Sequence, residues 1–206
     1  MSERLRVGVL ASGRGSNFRA LAEAAAAGHI PAEVVVLVTD RASAGALAIA
    51  RELGVEAVML APGQHPSREA HEKAVIAALE ERRVGLVCLA GYLRLLTPGF
   101  VAHFAGRLMN IHPTLLPAFP GLHPHRQALE HGARVSGATV HFVYDGTDTG
   151  PIVLQAAVPV MQDDTEATLA ARILVEEHRL YPEAVRLFAL GRLEIRGRRV
   201  WIRETP

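Results

Sequence analysis

Along the first half of the chain, short apolar runs rich in valine, leucine and alanine alternate with longer stretches whose apolar positions recur at helical spacing. The runs at 6–10, 34–39, 57–60, 86–90 and 108–111 predict strands, and the stretches at 18–27, 45–53 and 67–83 predict helices. Gly28 and Gly54 stop the first two helices. Ser67 stands where the third needs a cap, and Glu69 and Glu72 suit the positive end of its dipole. Strands separated so regularly by helices imply crossover connections and a parallel sheet.

Beyond Ile111 the pattern changes. Residues 112–125 hold four prolines and three histidines, which leaves no room for regular structure. A helix at 124–131, an alternating strand at 136–144, a turn-rich loop at 145–150 and a strand at 152–161 follow. Asp163 and Glu166 have capping-box spacing and open a helix to about residue 179, and Pro182 begins a separate helical piece ending at Gly191. The tail at 193–195 and 200–202, around Arg196-Gly197-Arg198, reads as a hairpin. With no repeat, low-complexity tract or linker, residues 1–206 read as one α/β domain. Its sheet is open, twisted and mostly parallel, with helices on both faces and a small C-terminal hairpin.

Composition narrows the partners. The 206 residues suffice for a buried core, and a net charge of +1 supplies no field for a nucleic acid or a membrane surface. The expected partners are therefore small molecules, met by local sites, and the chain itself is a monomer or homodimer. Cys88 is the only cysteine and lies in the apolar run 86–90, which predicts a buried, inert thiol and no disulfide. The apolar stretch at 7–11 is too short for a signal peptide, so the expected location is cytoplasmic.

An open parallel sheet places ligands beyond the carboxyl ends of its strands. Three segments therefore matter: the loops after the first strand and after Ala90, and the chain beyond Ile111. In the first, Ala11-Ser12-Gly13-Arg14-Gly15-Ser16-Asn17 lets the backbone turn tightly and presents amides at a helix start, a phosphate site or else simply a structural turn. It lacks the lysine of a nucleoside triphosphate loop, and Phe18 stands at the third glycine position of a dinucleotide fingerprint. Asp40, at the end of the second strand, imitates a ribose-binding acid and keeps a nicotinamide enzyme among the alternatives.

In Asn110-Ile111-His112-Pro113, strand alternation places Asn110 and His112 on the same side. An amide donor beside an imidazole suits a carbonyl oxygen that becomes negatively charged, as acyl transfer requires. Asp148, in Asp145-Gly146-Thr147-Asp148-Thr149-Gly150-Pro151, is the partner carboxylate, or else shapes a turn. Beside His112 it would orient the ring and favour the imidazolium. His112, His123 and His125 have no cysteine or close acid to complete a metal site, so no metal is expected. His141 reads as a hydrogen-bonded structural residue, and His178 as part of a polar helix face.

Several stretches together resemble the glycinamide ribonucleotide formyltransferases, folate-dependent enzymes of purine synthesis with a Rossmann-like fold. They are Ser12-Gly13-Arg14-Gly15-Ser16-Asn17, Leu89-Ala90-Gly91-Tyr92-Leu93-Arg94-Leu95-Leu96, Asn110-Ile111-His112-Pro113-Thr114-Leu115-Leu116-Pro117, Pro120-Gly121-Leu122-His123, Gly137-Ala138-Thr139-Val140-His141-Phe142-Val143 and Asp148-Thr149-Gly150-Pro151. The resemblance implies formyl transfer from 10-formyltetrahydrofolate to the amine of N1-(5-phosphoribosyl)glycinamide, without a metal. It implies a phosphate-binding N-terminal half and a C-terminal half that binds folate and holds the catalytic residues. Gly15, Ser16 and Asn17 would hold the substrate phosphate and Glu177 the ribose hydroxyls. Asn110, His112 and Asp148 would form the catalytic trio, with Asn110 and a protonated His112 stabilising the oxyanion. Arg68, Leu93, Arg94, Leu95, Leu96 and Tyr144 would meet the folate, Arg94 and Leu96 through their backbones. The family's usual Ser-Leu-Leu-Pro appears here as Thr114-Leu115-Leu116-Pro117, which keeps the hydroxyl.

Formyl-folate hydrolases share the trio but deliver water, and methionyl-tRNA formyltransferases would need a basic nucleic-acid surface. A phosphosugar sensor would keep the glycine loop but has no use for the trio.

Overall fold

The computed structural model describes residues 4–144 and 146–204. The chain divides into two compact units, Met1–Met109 and Asn110–Pro206.

In the first unit the elements follow as β1 (Leu5–Leu10), α1 (Ser16–Ala26), β2 (Ala32–Thr39), α2 (Ala46–Leu53), β3 (Glu56–Met59), α3 (Arg68–Glu81), β4 (Leu86–Leu89) and α4 (Pro98–His103). Its strands lie in the order β3-β2-β1-β4 and run parallel, as the alternation of strands and helices predicts. Val7, Val9 and Leu10 of the central β1 are fully buried, and all four residues of β4 are buried, Cys88 among them. A continuous apolar run is what a parallel strand covered on both faces requires. Phe18, Leu21, Ala22 and Ala25 form the buried stripe of α1, and the Ser67 hydroxyl caps α3 by accepting from the Ala70 amide at 3.1 Å.

Two short elements escape the pattern. A single 3₁₀ turn occupies Pro62–Gln64, and α4 is six residues long, too short to show a period. The local chemistry of α4 is nonetheless clear: Thr97 caps it, Pro98 occupies its first turn, and Phe100 and Val101 are buried.

Strand β5 (Leu108–His112) runs across the division between the units. The second unit continues with α5 (Pro124–Glu130), β6 (Val135–Phe142), β7 (Ile152–Pro159), α6 (Glu166–Ala189), β8 (Leu193–Arg196) and β9 (Arg199–Ile202). β6 and β7 are antiparallel, β7 meets β9 in parallel at Ile152 and Arg199, and β8 and β9 form the expected hairpin.

α6 corrects two expectations. Its cap is Thr165, in a reciprocal box with Thr168, whereas Asp163 and Glu166 had the expected spacing. Asp164, next to the cap, pairs with Arg172 at 2.6 Å. The helix also passes through Pro182 unbroken. A proline there removes one backbone hydrogen bond and costs about 3 kcal/mol in an isolated helix. Here the buried face made by Ile173, Leu180, Tyr181, Ala184, Val185 and Leu187 continues on both sides of it, and that packing outweighs the local preference.

Candidate active site

The glycine loop leaves β1 and enters α1. Gly15 is the helix cap, in a left-handed conformation (φ 83°), and no side chain caps the first turn. Gly15 brings no capping side chain, so the helix starts with its backbone amides and the positive end of its dipole, the arrangement that receives an anion. Ser16 and Asn17 are its first residues, and Arg14 is exposed beside them. The amide of Ala46, the first residue of α2, donates to the Gly13 carbonyl at 3.2 Å and braces the loop. A Cβ on Gly15 would lie 2.7 Å from both Cα and Cβ of Ala46. Gly15→Ala therefore combines left-handed strain of about 1–2 kcal/mol with a clash against backbone. We expect its melting temperature to fall by at least about 4 °C. An unchanged melting curve would show that the loop relaxes freely.

The segment after β4 is framed rather than regular. The Ser12 hydroxyl accepts from the Leu93 amide at 3.0 Å, and the Ser12 amide donates to the Gly91 carbonyl at 3.0 Å, which ties this segment to the glycine loop. Glu72, buried on α3, accepts from the Thr97 amide at 2.9 Å and from the Thr97 hydroxyl. Arg68, at the start of α3, donates to the Leu95 carbonyl and lies 3.6 Å from Glu72. Between these ties the backbone groups of Arg94 and Leu96 have no partner among the described residues, and the side chains of Leu93 and Leu95 stand 58% and 69% exposed. Fixed backbone with open donors and acceptors, beside apolar side chains left in solvent, fits a flat polar ring system. Asp40 is 93% buried and lies 3.9 Å from both Arg41 and Arg94.

In the second unit Asn110, His112 and Asp148 come together. The Asp148 Oδ2 lies 3.4 Å from His112 Nδ1, and its Oδ1 lies 3.4 Å from Asn110 Nδ2. The Gly121 amide donates to Oδ2 at 2.9 Å. On the far side of the ring, His112 Nε2 donates to the Phe119 carbonyl at 2.9 Å. A carbonyl can only accept, so Nε2 carries the proton and Nδ1 faces the carboxylate. Asp148, Phe119 and His123 all adopt positive φ, near 54–55°; Asp148 belongs to the trio and Phe119 touches it directly. Left-handed conformations at non-glycine residues persist where surrounding structure enforces them, often at functional sites.

His141 belongs to this group as well. Its Nδ1 donates to the Phe142 carbonyl at 2.8 Å, leaving Nε2 to accept from Asn110 at 3.3 Å, and the same Nε2 is 3.6 Å from Asp148. The sequence reading as a hydrogen-bonded residue holds, but it missed that the ring also faces the catalytic groups. The available signal was its position on β6, since side chains two apart share a face.

The electrostatics revise the expected charge of His112. Burial pushes its pKa down and outweighs the pull of Asp148 and the Phe119 carbonyl, so it lies below the ordinary value and the ring rests neutral at physiological pH. The expected imidazolium is thus not the resting form. For Asp148 burial works in the opposite direction, toward protonation, yet the neighbouring His141, the Gly121 amide and His112 prevail, and the carboxyl titrates below its usual range.

The other expected ligand residues are more dispersed. Tyr144 follows β6 and is 40% exposed. Glu177 is buried on α6, an unusual place for a carboxylate in a merely solvated helix face. Among the described residues no group of three or more histidine, cysteine or acidic side chains is arranged to hold a metal, and no helix is long and apolar enough to cross a membrane.

A family model described as formyl transferase matches residues 5–185. The phosphoribosylglycinamide formyltransferase of Escherichia coli is 42% identical over 96% of this chain and 93% of its own length. This chain belongs to the phosphoribosylglycinamide formyltransferase family. The Mycobacterium tuberculosis member is 46% identical over 96% of this chain and 94% of its own. In three dimensions, glycinamide ribonucleotide transformylase 1 from Symbiobacterium toebii superposes with a TM-score of 0.97 at 53% identity, covering 99% of this chain and 96% of that one. The α/β architecture and the C-terminal hairpin are therefore those of a phosphoribosylglycinamide formyltransferase.

Proposed function

We propose that this chain transfers the formyl group of 10-formyltetrahydrofolate to the amine of N1-(5-phosphoribosyl)glycinamide, a step of purine biosynthesis. The observation that carries the assignment is the meeting of Asn110, His112 and Asp148, with the His112 ring held by the Phe119 carbonyl and the Asp148 carboxylate by the Gly121 amide. Both units belong to one formyltransferase domain, in keeping with a family model that spans 5–185.

In the first unit the amides at Gly15, Ser16 and Asn17 bind the substrate phosphate. Arg68, Leu93, Arg94, Leu95 and Leu96 receive the folate, with the open backbone groups of Arg94 and Leu96 reading its polar edge. In the second unit Tyr144 flanks the folate and Glu177 binds ribose hydroxyls. The folate supplies the formyl group, carried on nitrogen. An amine of this type has an ordinary pKa of about 8, so a useful fraction is already neutral and no strong base is needed. The larger tasks are holding two ligands together and stabilising negative charge on the formyl oxygen.

Asn110 takes the second task. Its two amide hydrogens rest on His141 and Asp148 at 3.3 and 3.4 Å, contacts long enough to exchange for a stronger acceptor. His112 starts neutral with its Nδ1 turned to Asp148, so the proton that the attacking nitrogen sheds reaches Nδ1 by way of the Asp148 carboxylate. The imidazolium formed there lies beside Asp148 and adds positive charge where negative charge builds. Returning that proton to the departing nitrogen completes the exchange of one C–N bond for another and leaves the residues unchanged.

A spectrophotometric assay with 10-formyltetrahydrofolate, with and without the ribonucleotide, tests this reading. Deformylation should require the ribonucleotide and disappear in His112→Ala. Deformylation by water alone would instead make the chain a hydrolase.

A further inference from the structure

Phe119 and Gly121 orient His112 and Asp148 through backbone atoms alone, so something must hold that backbone. The turn has no regular structure, and Phe119 and Gly121 are both left-handed, with φ 54° and 81°. Its fixed neighbour is α5. The Gln127 side-chain amide donates to the Pro120 carbonyl at 3.2 Å and to the Leu122 carbonyl at 2.9 Å, the two carbonyls that flank Gly121. One turn further on, His131 packs its ring on Phe119 with centroids 5.3 Å apart, and its Nδ1 donates to the Gln127 carbonyl at 2.9 Å. α5 is itself anchored, since Ala128 is fully buried and Arg126 meets Glu166 of α6 at 2.7 Å.

We propose that Gln127 is a positioning residue for formyl transfer. By bracketing Gly121 from both sides it holds the Gly121 amide on Asp148 and the Phe119 carbonyl on His112. A primary amide is the suited side chain, because it offers two hydrogens in a fixed fork and so donates to both carbonyls at once. Nothing about Gln127 requires it to touch either substrate. The inference rests on the proposed role of the trio.

The test compares Gln127→Met and Gln127→Glu with the unaltered enzyme. Methionine keeps the length and helix preference but donates nothing, and glutamate keeps the shape but turns oxygen toward both carbonyls. We expect kcat to fall about tenfold in Gln127→Met and further in Gln127→Glu, with KM for both substrates changed less than about twofold. These are the sizes expected for a lost orienting contact. The acid limb of kcat against pH should move in Gln127→Met, because the Phe119 carbonyl that raises the His112 pKa and the Gly121 amide that lowers that of Asp148 are both loosened. The titratable groups facing Asp148 are His112 from β5 and His141 from β6, and both remain in the variant. An unchanged kcat, or a lower kcat with lowered melting temperature and an unmoved acid limb, would reduce Gln127 to a structural residue and overturn the proposal. Asp148→Asn is measured alongside. Full activity there overturns the trio and this inference with it, whereas an inactive Asp148→Asn beside an unaffected Gln127→Met overturns only the inference.

Discussion

Asn110→Ala should lower kcat by about 10²–10³, the loss seen when one preorganised donor to a developing oxyanion is removed. The effect belongs in kcat because the amide is engaged elsewhere at rest, at 3.3 Å to His141 and 3.4 Å to Asp148. Those contacts lie at the long end of hydrogen bonding and contribute little to the ground state. As charge builds on the formyl oxygen, the amide gains a stronger acceptor, and that gain exists only in the transition state. Substrate KM values should therefore stay close to those of the unaltered enzyme. Stability should change little, since the side chain is only partly buried and the bonds it gives up are weak. Steady-state kinetics at saturating concentrations of both substrates is the check. Turnover near the original value would remove Asn110 from the catalytic group. A rise in KM with unchanged kcat would make it a binding residue.

The parts of the site legible in the sequence were those carried by strand alternation. Asn110 and His112 share a side of β5 because residues two apart must, and α1 follows the glycine loop because the glycines and the apolar period meet there. Asp148 was placed by its resemblance to a family pattern, since its distance of 36 positions from His112 carries no local signal. The groups that orient the trio were illegible for a different reason. Phe119 and Gly121 act through a carbonyl and an amide, which every residue possesses, so their identities reveal nothing of the role. The same holds for the ties from Ser12, Glu72 and Arg68 to the segment after β4, which join positions far apart in sequence. The charge of His112 was misread because a neighbouring carboxylate is visible in a motif and burial is not. At Pro182 and at the start of α6 the rules of local propensity yielded to packing.

Asp148→Asn should reduce kcat by about 10²–10⁴, the range expected when general acid–base assistance is lost. The amide keeps the size of the carboxylate but removes the negative charge that makes a proton on His112 Nδ1 tolerable in a buried setting. His112 already titrates below its ordinary 6.5, mainly through burial, with Asp148 the largest opposing influence. Removing that influence should drive the His112 pKa lower still, and NMR titration of the ring would follow it. A midpoint that stayed in place or rose would contradict the assigned coupling. Stability against pH gives an independent reading. For His112 the folded pKa is depressed, so below pH 6.5 the unfolded chain takes up a proton that the folded chain refuses, and stability falls until the lower folded value is passed. For Asp148 the folded pKa is also depressed, so its contribution is complete above the unfolded value of 3.8 and is lost as pH falls through the folded one. Asp148→Asn should thus abolish its own loss of stability below pH 3.8 while widening the acid window in which His112 resists protonation. Those opposite changes, one beginning below pH 6.5 and the other below pH 3.8, would tie the carboxylate to the ring by charge, and a uniform shift of the whole curve would reduce Asp148 to a packing residue.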